Sequence, residues 1–488
     1  MRQTVSVMVA LAAIVVLSLM APLSDAADSY DSPDGTYEYS KHGSGSDTNP
    51  YWSEILSLSC RGDVVFLQSS LEGYGVTTVT SLSGCEAGTV VVPRTVTSVA
   101  DGALDDSSVE RMVFLGDRPE MDIPGDVDVV VLEGTSGWDS SQETIPLSEY
   151  RGDGTSFTYY ILDGDAYIYG ALDSRAIVVP DEDPDGHPFV GVDSEAFRDG
   201  DVTSVVLGAN VASIGTRAFY GCESLETVVM GGGVRDIRDE AFRYCINLED
   251  VDLDGVRTIG FEAFRDCRSF TSIEIPDSVA GLGGGAFYIC RSATSLELGD
   301  GVDTVPERAF GYCSSLESVD MTGMKVIGES AFISCTSLRS VILDSSTMSI
   351  GDSAFSGCTY LESVELGDSL ASLGGQVFSE CRMLVTLTFP ETLESIGERV
   401  FFHCNNLTDV YFEGDMPDIL GDLLFGTTDV TVHIYDTHSG SWGAFDGYVV
   451  AERTPVSDSD EGFPVMATVV AIVLILAIAT CIVFKVRR

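Results

Sequence analysis

Nine cysteines recur at a near-constant interval, Cys222, Cys245, Cys267, Cys290, Cys313, Cys335, Cys358, Cys381 and Cys404, one every 22 or 23 residues. Thiols so spaced could bind metal, pair as disulfides or attack a substrate. Carboxylates accompany many of them, as Glu362 and Glu365 follow Cys358 in "SAFSGCTYLESVEL". Metal binding needs donors that converge on a point, whereas residues one period apart march along an axis. Neighbours stacked about 4.8 Å apart would fall within the roughly 4.4–6.8 Å Cα separation of a disulfide, so bridging is geometrically admissible. Nine is an odd number, however, and Gly200 takes the place of the thiol in a further copy, "EAFRDGDVTSVVL". Both facts favour a structural ladder of buried thiols, small side chains that fill a core.

Other reactive groups are sparse. Cys60 and Cys85 lie outside the ladder and are a candidate disulfide. Cys481 sits in an apolar C-terminal run and is expected to be inert. The five histidines, His42, His187, His403, His433 and His438, show no catalytic spacing. No G-x-S-x-G nucleophile motif occurs, and the "GGG" stretches at 231–233 and 283–285 fall where turns belong. Paired carboxylates are too numerous to single out an acid–base pair. No catalytic residue and no metal ligand is assigned, and a non-enzymatic protein is expected.

The elements that carry these residues are repeats. "RAFYGCESLETVVM", "EAFRYCINLEDVDL", "EAFRDCRSFTSIEI", "GAFYICRSATSLEL", "RAFGYCSSLESVDM" and "SAFISCTSLRSVIL" precede the Cys358 copy, and "QVFSECRMLVTLTF" and "RVFFHCNNLTDVYF" follow it. A fixed period of this length is the signature of a stacked solenoid. The L-x-x-V-x-L part (Leu361, Val364, Leu366) predicts a short parallel strand. The A-F-x-x-C part is too short for a free-standing helix and predicts a short helical turn on the other side of each coil. The preceding "SIG" or "TIG" brings an apolar residue inward and then a Gly where the chain must turn. Ten coils give a rod roughly 50 Å long.

The pattern I-G-x-x-A-F-x-x-C-x-x-L-x-x-V-x-L resembles the BspA-like (treponemal-type) leucine-rich repeats, closely over about 195–412. Val377 and Val400 replace the Ala, and Ala293 replaces the strand Leu, all conservatively. The resemblance implies a leucine-rich-repeat solenoid, and a surface protein that contacts matrix proteins or other cells. In that family a "DG-x-P-V" hairpin precedes the first repeat, and "DGHPFVGV" stands at that place here. Within "PDEDPDGHP" (180–188), Asp181, Asp183 and Asp185 also have calcium-loop spacing, but Val192 stands where an EF-hand needs Glu. A turn is the favoured reading, a calcium site the alternative.

A larger duplication frames the repeats. "MVFLGDRPE" (112–120) matches "VYFEGDMPD" (410–418), and each leads to an alternating strand segment that ends in Trp138 or Trp442. The expected organisation is a signal peptide (1–26), a short N-terminal module with one degenerate repeat and a Trp-ended cap (27–138), a polar linker (139–155), a β-rich lead-in (156–194), repeats (195–425), a C-terminal cap (426–454) and a polar stalk (455–464). An apolar helix long enough to cross a bilayer (465–484) and a basic tail (485–488) follow. Arg2, an apolar run and Ala26 make the secretory signal. Lys485, Arg487 and Arg488 place the tail in the cytoplasm and the N-terminal region outside, a single-pass cell-membrane protein. No L-P-x-T-G-type sorting motif is present.

The charge is strongly acidic, with 76 Asp and Glu against 26 Lys and Arg, and Lys41 and Lys325 are the only lysines outside the basic tail. This excludes nucleic acid and anionic lipid as natural partners. Alternation puts one residue of each strand on the outer face, and along the stack these read Val229, Asp252, Glu274, Glu297, Asp320, Ile342, Glu365, Thr388 and Tyr411. Glu226, Glu249, Glu317 and Glu362 add a second row. Like charges directly opposite cost about 0.2–1 kcal/mol per pair, which a divalent cation such as Ca²⁺ or a basic ligand would offset. The alternative is that an acidic protein simply carries acids on every exposed surface. These thirteen positions less the neutral ones are the candidate ligand face.

No cofactor is expected beyond an optional Ca²⁺. Extracellular protein or cell-surface glycan is the expected partner, with adhesion or recognition as the function. The second hypothesis is a structural cell-envelope component that assembles through its acidic surface. Asn406-Leu407-Thr408 is a glycosylation candidate at Asn406.

Overall fold

The computed structural model describes residues 28–420, except 33–34, 43–51, 68–69, 72–73, 122–126 and 153, together with 430–435 and 449–453. The expected signal peptide, stalk, apolar helix and basic tail lie outside the described residues, as does Trp442.

Each coil of the solenoid contributes two short parallel strands, not one. The L-x-x-V-x-L segments form a ladder in three stretches. The first is Ala176–Val178, Ser204–Val206 and Thr227–Val229; the second runs in five strands from Ser272–Ile275 to Ser363–Glu365; the third runs from Thr386–Phe389 to Val449–Arg453. Between the first two, a single bridge joins Val228 to Val251. The "SIG" segments form the second ladder, with Phe189–Val192, Ser213–Ile214, Asp236–Ile237, Thr258–Ile259 and Gly281–Leu282 hydrogen-bonded in order, then six more strands from Thr304–Val305 to Asp418–Leu420. The glycine of this segment serves close approach between coils: a Cβ on Gly260 would sit 2.5 Å from the Asp239 amide nitrogen.

The expected helical turn is corrected. Among the described residues there is no helix, and A-F-x-x-C is a non-helical turn. Two residues per coil take left-handed backbone, for example Arg217 (φ 57°) and Gly221 (φ 71°), then Glu240 (φ 55°) and Tyr244 (φ 64°). With these left-handed residues four apart, every second N–H of the turn points along the stack. Arg217, Phe219 and Gly221 donate to the carbonyls of Asp239, Ala241 and Arg243 in the next coil, while Ala218, Tyr220 and Cys222 donate within their own. A helical turn would satisfy these amides locally and leave the coils unlinked on this side. Backbone groups must find partners, and here the neighbouring coil supplies them.

One continuous core fills the solenoid. The repeat phenylalanines stack from Phe197 to Phe401 with ring centroids 5.0–6.1 Å apart. Such stacking adds to the burial of each ring.

The N-terminal module is a ten-stranded sheet whose parallel part includes Trp52–Phe66, Gly84–Val92, Arg111–Phe114 and Asp128–Leu132. Trp138 covers Phe114 (centroids 4.8 Å apart), and its Nε1–H donates to the Gly116 carbonyl. The stretch 139–155, read from sequence as linker, carries strands Glu143–Ile145 and Ser148–Gly152. The first pairs with Asp128–Leu132 and buries Ile145, so it closes a sheet edge that would otherwise be open. The second begins an antiparallel lead-in with Thr155–Leu162 and Asp165–Ala171, whose last strand pairs in parallel with Phe189–Val192. Tyr160, Leu162 and Tyr167 of this lead-in pack against Val91, Val113 and Val130, which joins the two modules through a core of their own.

Candidate ligand-binding face

Strand alternation places the expected acids on the outside of the first ladder. Asp252, Glu274, Glu297, Asp320 and Glu365 are all exposed, as are Glu226, Glu249, Glu317 and Glu362 of the second row. Glu274 stands directly opposite Glu297 in the register of Ser272–Ile275 with Ser295–Leu298. Around them lies an open groove of about 1000 Å³, and its carboxylates are Asp250, Asp252, Asp254, Glu274, Asp277 and Glu297. No Lys, Arg or His lines it.

The groove gathers three of the expected face residues and adds three others. Asp250, Asp254 and Asp277 belong to the turns that flank the strands, and strand alternation alone gives no reason to pick them. Asp320 continues the row, but Ile342 separates it from Glu365 in the register. Glu362 is ion-paired with Arg339 at 3.0 Å and is not free to act with the rest. Among the described residues no cation lies within ion-pair distance of Asp252, Glu274, Glu297 or Asp320. Nor does any group of three or more His, Cys, Asp or Glu among them come together as a metal site.

The cations of this region are spent elsewhere. On the A-F-x-x-C edge Arg217 pairs with Glu240, and Arg243 bridges Glu240 and Glu262, which also pairs with Arg265. Tyr220, Tyr244 and Tyr288 stack against these guanidinium groups. The edge is therefore close to charge-balanced, and the sheet face is not.

The same face begins with an apolar stripe. Val178, Val206 and Val229 are register neighbours, exposed by 39, 39 and 53%. Sequence reasoning named Val229 and missed the other two, though the alternation in "AIVV" and "SVVL" carried the signal. At the far end Tyr411 stacks on His433 with ring centroids 4.4 Å apart, and His433 Nε2 lies 2.6 Å from Asp409 Oδ1. That histidine is half-buried and engaged. The hydrogen bond from His433 holds the Asp409 carboxyl below the usual carboxylate range.

The nine ladder thiols are all free and buried. Each Sγ–H donates to the carbonyl of the Phe one coil earlier, for instance Cys245 to Phe219 (3.1 Å) and Cys358 to Phe332 (3.3 Å). Each such carbonyl already accepts the N–H of the residue three further on in its own coil, a cysteine in all but the first, where it is Gly200, so the thiol occupies its second lone pair. Gly200 heads the series, in the first coil to carry the A-F-x-x motif. Burial pushes the Cys358 thiol up to about 12 and Cys313 likewise. A buried, protonated thiol is neither nucleophile nor metal ligand. Outside the ladder, Cys85 is disulfide-bonded, and Cys60 is its register neighbour in the parallel pair of Trp52–Phe66 with Gly84–Val92.

In the 180–188 segment the Asp183 carboxylate is turned inward. It accepts the amides of Asp185 and His187 (2.9 Å each) and the Tyr159 hydroxyl (3.2 Å), with His187 Nδ1 at 3.1 Å. These donors favour its ionised form against the desolvation that opposes it, and its pKa is lowered. Asp181 Oδ1 accepts the Ala209 amide. Asp183 thus serves the turn, and Asp181 ties the segment to the next coil. Asn406 is exposed, with Nδ2 3.8 Å from Met383 Sδ, while Leu407 is buried.

Comparison with known proteins places these features in a wider set. Segments 191–317, 235–347 and 325–438 match the family model of the BspA type leucine rich repeat region (6 copies), together covering half of the chain. Among solved structures, a leucine-rich repeat protein from Bacteroides ovatus is 22% identical over 62% of this chain and 100% of its own, with TM-score 0.33. The Treponema pallidum leucine rich repeat protein is 26% identical over 44% of this chain and 91% of its own, with TM-score 0.36. A leucine rich cell surface protein from Faecalibacterium prausnitzii is 22% identical over 65% of this chain and 99% of its own, with TM-score 0.34. The comparison with curated proteins found no match.

Proposed function

Because the chain belongs to the BspA-type leucine-rich repeat family, we propose that it is a non-enzymatic recognition and adhesion protein that binds a basic extracellular protein along its exposed parallel sheet face. The observation that carries this reading is the six-carboxylate groove without an internal cation, placed beside the Val178–Val206–Val229 stripe. Repeat solenoids present long regular faces on which affinity is spread over many coils. A partner with cationic side chains opposite the groove would remove the repulsion between Glu274 and Glu297.

In this reading residues 1–26 export the chain and 465–484 anchor it, so the face is displayed outside the cell. A Cys60–Cys85 disulfide staples the N-terminal module, consistent with an oxidising compartment. Asn406 is the position at which an attached glycan would meet solvent without disturbing the core.

The test is to immobilise the protein and probe it with matrix proteins, cell-surface glycans and whole cells, with Ca²⁺ or chelator, at low and high salt. Saturable binding of a basic protein that weakens as salt rises supports the proposal. Calcium-dependent self-association with no foreign partner would replace it by the envelope-component reading. Salt-insensitive glycan binding would move the partner class.

A further inference from the structure

The junction between the two modules holds charged groups that nothing in the recognition function uses. Asp193, at the end of strand Phe189–Val192, is 9% exposed. Its Oδ1 accepts the Ser194 amide at 2.7 Å, but its Oδ2 is dry and has no hydrogen-bond donor. The nearest cation is Arg94 of the N-terminal module, whose Nη2 lies 3.9 Å away and also lacks an acceptor. The Tyr160 hydroxyl, fully buried in the same seam, is a third polar atom without a partner. Buried polar groups are nearly always satisfied, so three orphans at one junction mark a place where the closed arrangement is under tension.

The surroundings specify how that tension is relieved. Arg94 lies over the Tyr169 ring at 4.4 Å, and its side chain is 29% exposed, so its charge keeps access to water. The Asp193 side chain is only 7% exposed, and its Oδ2 is shut off from water although the residue lines the wall of the cleft between the modules. Arg238 and Arg94 attract its charge, Glu195 repels it, and Tyr160 and Tyr167 face it without donating to it. Beside it a cleft of about 270 Å³ separates Phe66, Val91 and Leu115 of one module from Val192 and Arg238 of the other. The seam thus has room to move. It is further held by the exposed Arg111–Asp163 ion pair at 2.9 Å.

We infer that this junction is a proton-operated latch: with Asp193 neutral the two modules stay closed and dry, and with Asp193 ionised the seam opens to let water reach it. The direction follows from linkage. Burial raises the Asp193 carboxyl to about 6 in the closed seam, against about 3.9 when hydrated. Closing therefore takes up a proton between those values, and closure is favoured as pH falls through 6, with no further gain below about 4. A difference of about two units corresponds to on the order of 100-fold in the opening equilibrium.

The experiment is hydrogen exchange on the full chain from pH 4 to 7.5, corrected for intrinsic rates, read on strands Arg111–Phe114 and Thr155–Leu162 against Ser318–Asp320 as an internal reference. The latch predicts that seam protection falls about 100-fold across this range while the reference stays level. Asp193→Asn should abolish the dependence and hold the seam at pH 7.5 as closed as the native chain is at pH 4. Seam protection that is flat in the native chain, or an Asp193→Asn seam that is looser at pH 7.5, overturns it. Arg94→Gln provides a second arm: with its cation gone, the native transition should move to higher pH, and an unmoved or lowered midpoint contradicts the latch.

Discussion

Alkylation of the thiol ladder tests the reading of the nine cysteines in quantitative terms. In an unfolded chain a thiol with pKa about 8.5 is about one quarter ionised at pH 8. With Cys358 and Cys313 pushed up to about 12 by burial, the thiolate fraction in the folded chain is about 10⁻⁴. Native labelling by iodoacetamide should therefore be suppressed by at least about 2000-fold relative to the urea-unfolded chain, before counting the zero exposure of both side chains. The readout is mass spectrometry of the labelled chain with and without urea, with Cys222 and Cys404, the least enclosed members, as the first to react. The same shift has a stability consequence. The unfolded chain loses these protons above about pH 8.5 and the folded chain does not, so stability is complete below that pH and is lost as pH rises toward 12. Each thiol weakens the fold by about 1.4 kcal/mol per pH unit over that window. Fast native labelling of Cys358, or a fold unchanged at pH 10.5, would refute the account of the ladder.

Other consequences can be checked together. Cys358→Ala should cost about 1–2 kcal/mol in urea unfolding, through a small cavity and a lost weak hydrogen bond, whereas Phe355→Ala should cost about 3–5 kcal/mol because it interrupts the stack between Phe332 and Phe378. Gly260→Ala, whose Cβ meets backbone at 2.5 Å, should destabilise by more than about 1 kcal/mol and loosen hydrogen exchange in the neighbouring coils. Asp183→Ala should lower the thermal midpoint measurably, since the Asp185 and His187 amides and the Tyr159 hydroxyl lose their acceptor. With its pKa lowered, Asp183 stabilises the fold above about pH 4, and that contribution is lost as pH falls below it.

The repeat period, the inward residues and the outward acids were legible because a solenoid writes each contact once per coil. Phe355, Cys358 and Leu361 fall into the core for the same reason that their counterparts do in every other coil. The expected helical turn failed because amphipathic spacing says nothing about left-handed residues such as Tyr244 or Ile289, which are not turn formers by type. Coil-to-coil hydrogen bonding selects that conformation, and it has no local sequence signal. The thiol's donation to a neighbouring Phe carbonyl is likewise invisible in the period itself. Groove residues Asp250, Asp254 and Asp277 escaped notice because they come from turns, whose side-chain directions alternation does not fix. The seam at Asp193 depends on packing between segments about 100 residues apart in sequence, Arg94 and Asp193 among them, and no repeat announces it.

The central claim is that a particular face, and not acidity in general, makes the recognition surface. Two variants with the same net charge separate these. One neutralises Asp252, Glu274, Glu297 and Asp320 as Asn or Gln; the other neutralises the exposed Asp101, Glu110, Glu120 and Asp128 of the N-terminal module. Affinity for the basic partner captured by the native chain, measured at a fixed salt concentration, should fall at least tenfold in the first and stay within twofold in the second. Equal losses in both would show that bulk charge does the binding and would contradict the account.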